Sequence, residues 1–175
     1  MPLLPIFHAL GVLLLIAGAA HAADHTNDAP PFMERVAPPE TGMLILVRHA
    51  DRNQGETDLN DTGQARAAVL PDALADLPLD AIYHADFLRN ADTAAPLASA
   101  LGLTPQVLEP DETLSTRLVN AAERSAVIWI GNVGNLVDLW EALDLGGASP
   151  TRYGSIAILT AQDGRWQVAW RTFEP

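Results

Sequence analysis

The residues best suited to chemistry are Arg48 and His49, which end the apolar run Met43-Leu-Ile-Leu-Val47, and Arg89, which follows a second short stretch, Ala81-Ile-Tyr83. Two guanidiniums beside an imidazole suit a phosphoryl group, because each planar fork can hold two oxygens at once. With the phosphoryl charge neutralised, the imidazole can attack phosphorus in line. Taken alone, an Arg-His pair after a strand describes a surface pair at least as well. The elements that carry these residues must decide between the two.

The run at 43–47 is too short for a buried helix and reads as a strand covered on both faces. Asn60 is placed to cap a helix from Asp61, with Ala65, Ala68, Val69, Ala73 and Leu77 inward. Pro71 should kink or divide that helix. A second strand at 81–83 leads to Asp86, an expected N-cap for the helix carrying Arg89 and Thr93 to Leu101. Further strands are expected at 104–108 and 127–130, with helices at 114–123 and 136–143. Strands at 155–160 and 166–171 flank Asp163-Gly164, a hairpin signal. Trp129 and Trp140 read as core, and Trp166 and Trp170 as one face of that hairpin.

Strands alternating with helices predict an α/β fold with three layers, α/β/α. Its sheet is mostly parallel and is closed by a C-terminal antiparallel hairpin. Ligands of such sheets bind beyond the C-terminal ends of the strands. Three ends matter here: Arg48-His49-Ala50, His84-Ala85-Asp86 leading to Arg89, and Gly131-Asn132. A helix start near Arg89 adds backbone donors and positive dipole.

Read together, Leu44-Ile-Leu-Val-Arg-His-Ala50, Leu59-Asn-Asp-Thr-Gly-Gln-Ala-Arg-Ala67, and Ile82-Tyr83 with Arg89 and Thr93-Ala94 resemble the histidine phosphatase superfamily, also called phosphoglycerate mutase-like. The resemblance runs from Met43 to about Thr160 and looks closest to small, exported, single-domain members. It implies that His49 is the phosphorylated nucleophile, that Arg48 and Arg89 bind phosphate oxygens, and that Gly63 lets the first helix pack close beneath the site. That chemistry calls for neither a metal nor another cofactor.

Two positions depart from the family pattern. The fourth strand of relatives ends in a second His; here Asn132 stands there, able to donate a hydrogen bond but not to carry charge. Val133 fills the place of an acid used in one branch, and the general acid is unassigned. Asp51, Glu109, Asp111 and Glu112 read as solvated carboxylates in so acidic a chain. Arg52 either reaches bound substrate or makes a surface salt bridge. His84 reads first as a polar loop histidine and otherwise as a substitute imidazole. Arg52, Asn132 and His84 are therefore the candidate substrate-binding residues.

The chain of 175 residues has room for one domain with a real core. Its net charge is −12, with no lysine, which disfavours nucleic acid and anionic membranes as partners. It has no cysteine, so disulfides, thiolate metal sites and a lipid-carrying cysteine are excluded. Leu10 to Ala20, followed by Ala20-His21-Ala22, reads as a signal peptide over residues 1–22, implying a periplasmic or secreted protein with no membrane attachment after cleavage. Residues 23–42, with Pro30-Pro31 and Pro38-Pro39, read as a linker, and 43–175 as the domain. Two functions remain open on these residues. One is a phosphohydrolase acting on a small phosphomonoester through phosphohistidine, weakened by Asn132. The other is a catalytically inactive relative that binds a phosphorylated ligand or a protein partner. Neither substrate nor oligomeric state is legible.

Overall fold

A computed structural model describes residues 35–175. The expected signal peptide and the first part of the linker lie outside the described residues. A six-stranded sheet is built in the order β3-β2-β4-β1-β5-β6. Its strands are β1 (Met43–Arg48), β2 (Ala81–His84), β3 (Gln106–Val107), β4 (Ala126–Gly131), β5 (Ser155–Gln162) and β6 (Arg165–Thr172). Four helices alternate with them: α1 (Asp61–Ala73), α2 (Leu88–Leu101), α3 (Leu114–Ala122) and α4 (Val133–Ala142).

β1 lies at the centre because Leu44 to Val47 are apolar on both sides of the pleat, and all four are fully buried. It pairs in parallel with β4, Ile45 opposite Ile128, and antiparallel with β5, Ile45 opposite Ile158. Alternation along β1 then divides the core. Ile45 and Val47 pack with Leu70 and Leu97 on the face covered by α1 and α2. Leu44 and Leu46 pack with Leu118, Trp129 and Leu136 on the face covered by α3 and α4. The chain thus leaves β1 toward one face and β4 toward the other. Adjacent strands whose helices depart to opposite faces open a crevice between their C-terminal ends, where open α/β sheets bind ligands.

The C-terminal strands form the expected hairpin, turning at Asp163-Gly164 with both residues at positive φ. Trp129 and Trp140 are core, while Trp166 and Val168 pack on the same side of the sheet. Trp170 shares that face of β6 and lies 5.6 Å from the Trp140 ring.

Three local expectations are corrected. The buried stripe of α1 is Gly63, Arg66, Ala67 and Leu70, continued by Leu74, whereas Ala65 and Ala68 face solvent. The stripe has helical spacing, but an arginine in it disguises the face as polar. Pro71 does not divide α1; it sits in the last turn, and the helix ends two residues later. Phe87, not Asp86, occupies the N-cap of α2, without a side-chain cap. The other expected cap holds: the Asn60 side chain accepts from Gly63 N–H at 2.9 Å.

Candidate active site

The end of β1 is held from two sides. His49 N–H donates to Gly131 O on β4 at 2.9 Å. Ala50 N–H donates to Thr93 Oγ1 on α2 at 2.9 Å, and that hydroxyl donates to Arg89 O at 2.7 Å. These bonds place the first turn of α2, which carries Arg89, beside the residues after β1. From below, α1 comes so close that a side-chain carbon at Gly63 would lie 2.0 Å from Asp51 O. The close packing expected of Gly63 is therefore present.

His49 is 2% exposed. Its Nδ1 pairs with Ala50 O at 2.8 Å. A carbonyl can only accept, so Nδ1 carries the hydrogen and the Nε2 lone pair is left for a ligand. Burial, followed at a distance by the charges of Arg48, Arg89 and Arg52, pushes the imidazole down from 6.5 to about 4. The ring is thus neutral and nucleophilic at pH 7. An NMR titration of the ring should give a midpoint near 4; one near 6.5 would contradict the burial argument. The sign follows from linkage. Between those values the unfolded chain binds a proton that the folded chain refuses, so stability is full above 6.5 and falls as the pH drops toward 4. The loss is on the order of 3 kcal/mol.

Arg48 is half-buried, donates from Nη1 to Thr151 O at 2.8 Å, and lies 3.8 Å over the Tyr153 ring. Its Nε is buried and has no hydrogen-bond partner among the described residues. Arg89 donates from Nε and Nη2 to Asn132 Oδ1 at 3.1 and 2.8 Å, with Phe87 beneath its guanidinium at 4.3 Å. Asn132 is itself fixed at the head of α4, its N–H donating to Asn135 Oδ1 at 3.0 Å. Arg52 folds onto its own loop, donating to Asn53 O and Glu56 O, while its buried Nε has no hydrogen-bond partner among the described residues. Three guanidiniums close to a neutral imidazole suit an oxyanion's lone pairs.

The structure therefore gathers Arg48, His49, Arg89 and Asn132 at one crevice, with Arg52 within electrostatic reach. His84 is buried at the end of β2 rather than in a polar loop, with Nδ1 on Ala85 O at 2.9 Å, repeating the His49 arrangement two strands over, with β4 between. Among the described residues no hydrogen bond or ring contact joins it to the other five. Glu109, Asp111 and Glu112 are exposed, as expected. Asp51 is not solvated. It is largely buried and accepts from Arg66 Nε at 2.5 Å, and Arg66 also holds Phe173 O and Glu174. This cluster anchors the loop after His49 to the chain end, over a separation that no local pattern displays.

Sequence reasoning missed Tyr153. Its ring stacks on Arg48 and meets the His49 ring edge-on at 5.7 Å. It stands alone in the loop before β5, in no motif, and only tertiary contact reveals it.

The model of the histidine phosphatase superfamily (branch 1) matches residues 44–115, which include Arg48, His49 and Arg89. Comparison with curated proteins found no sequence match. Solved structures share the fold. The protein histidine phosphatase SixA, complexed with tungstate, superposes with a TM-score of 0.60 at 18% identity, covering 75% of this chain and 96% of its own. Mycobacterial glucosyl-3-phosphoglycerate phosphatase, complexed with VO3, gives 0.58 at 17% identity, with coverage of 75% and 99%. Phosphoserine phosphatase from Entamoeba histolytica, in complex with 3-phosphoglyceric acid, gives 0.55 at 12% identity, with coverage of 76% and 96%. Three different named substrates on one fold show that the fold does not choose the substrate.

Proposed function

We propose that this chain, with its histidine phosphatase superfamily match and fold, hydrolyses a small phosphomonoester through a phosphohistidine formed at Nε2 of His49. One observation carries the reading: a neutral imidazole is locked with Nε2 free, with the charges of Arg48, Arg89 and Arg52 acting on it. Arg48 and Arg89 hold the phosphoryl oxygens, Nε2 attacks phosphorus, and the ester oxygen departs. Water then attacks the phosphohistidine and frees the imidazole. The tungstate and VO3 complexes of the neighbours support an oxyanion in this crevice. Arg52 approaches the same anion from the loop, and Asn132 offers the amide hydrogens that remain while its oxygen accepts from Arg89.

Asn132 also favours a second reading, a relative that binds a phosphorylated ligand without turning it over. No imidazolium stands at that strand end to stabilise the transition state. A panel of phosphomonoesters assayed with the full chain, with His49→Ala as control, separates the two. Turnover lost in the variant supports the hydrolase, and binding without turnover supports the silent relative.

We also propose that the protein works outside the cytoplasm, after cleavage following Ala22. Among the described residues no helix is long and apolar enough to cross a membrane. Mass spectrometry of protein from the host's envelope fraction should find a terminus at Ala23 or Asp24; an intact Met1 there would contradict export.

A further inference from the structure

The proposed reaction needs a proton donor for its departing oxygen, and among the described residues no carboxylate acts on His49. The charged groups acting on His49 are all arginines. Asp51, which acts on Arg48, has its Oδ2 on Arg66 at 2.5 Å. Glu109, Asp111 and Glu112 are exposed in the loop after β3, and Asp111 is paired with Arg117.

We propose that Tyr153 is the general acid, its phenol giving a proton to the oxygen that leaves phosphorus. This role rests on the phosphohydrolase reading above. Tyr153 is the neutral protic side chain in ring contact with both the nucleophile and a phosphate-binding arginine. Tyr153 stands within electrostatic reach of both Arg48 and Arg89. Its backbone is held as well. Arg48 donates to Thr151 O, two residues before it, and Phe173 N–H donates to Gly154 O at 2.9 Å. Gly154 lies at φ +77, where a side-chain carbon would come within 2.6 Å of Arg66 Nη1. The cluster that anchors the loop after His49 therefore also anchors the loop carrying Tyr153.

The atoms balance. Nε2 forms a bond to phosphorus as the P–O ester bond breaks, and the phenol proton passes to the departing oxygen, leaving an alcohol, phosphohistidine and a tyrosinate. The tyrosinate lies over a guanidinium, which offsets its charge. In the second step water forms the new P–O bond, its proton returns to Tyr153, and the N–P bond breaks to release phosphate and neutral His49.

The test compares wild type with Tyr153→Phe across esters whose leaving groups run from p-nitrophenol to simple alcohols. Phenylalanine keeps the ring on Arg48 and removes only the proton. A good leaving group needs little acid and a poor one needs much. The alkyl-to-aryl ratio of kcat/KM should therefore fall about a hundredfold in the variant, with inorganic phosphate affinity retained. An active wild type whose ratio is unchanged in Tyr153→Phe overturns this role and leaves the phosphatase reading standing. A wild type that turns over no ester overturns both.

Discussion

Replacing His49 with alanine is expected to lower phosphomonoester turnover by about four orders of magnitude or more, the scale seen when a covalent nucleophile is removed. The variant should still bind inorganic phosphate, within about tenfold of wild type, or about 1.4 kcal/mol. The two effects separate because different groups produce them. Arg48 and Arg89 are positioned by Thr151, Tyr153, Phe87 and Asn132, of which only Tyr153 touches the imidazole. Kinetics on aryl phosphates and calorimetry with phosphate check the pair. Turnover surviving at wild-type rate would remove His49 from the chemistry, and phosphate binding lost with it would move the anion site.

Replacing Asn132 with histidine is expected to raise turnover by about ten- to a hundredfold, and the gain should vanish when His49 is also alanine. In phosphoryl transfer the equatorial oxygens hold the spread charge, and fixed donors around them supply most of the catalysis. Asn132 is neutral, and its oxygen occupies Nε and Nη2 of Arg89. An imidazolium there cannot accept a hydrogen bond, so it adds charge and releases those two guanidinium donors to the anion. The readout is an aryl phosphate, whose good leaving group makes little demand on the acid. A folded, phosphate-binding Asn132→His protein no faster than wild type would show that position 132 does not limit the rate.

The parts of this molecule legible in the sequence are those set by short-range pattern. Five apolar residues ending in Arg48-His49 announce a central strand with a site at its tip. Asn60 before Gly63 announces a cap, and Asp163-Gly164 a hairpin. The rest depends on residues far apart in the chain. Arg66 is buried because Asp51 and Glu174 meet it, and without them its position makes the buried face of α1 look polar. Nothing local in the sequence marks Asn132 as the acceptor that orients Arg89. Tyr153 had no signal at all. A lone tyrosine between Arg152 and Gly154 becomes part of the site only when β5 returns beside β1.

The most direct measurement is a single-turnover reaction with the full chain in excess over a phosphomonoester labelled in its phosphoryl group. It is quenched in alkali, where an N–P bond survives, and digested for mass spectrometry. The account predicts phosphoryl on the peptide containing His49, on its ring and absent from His49→Ala. Release of phosphate with the label carried on another residue, or on none, would contradict it.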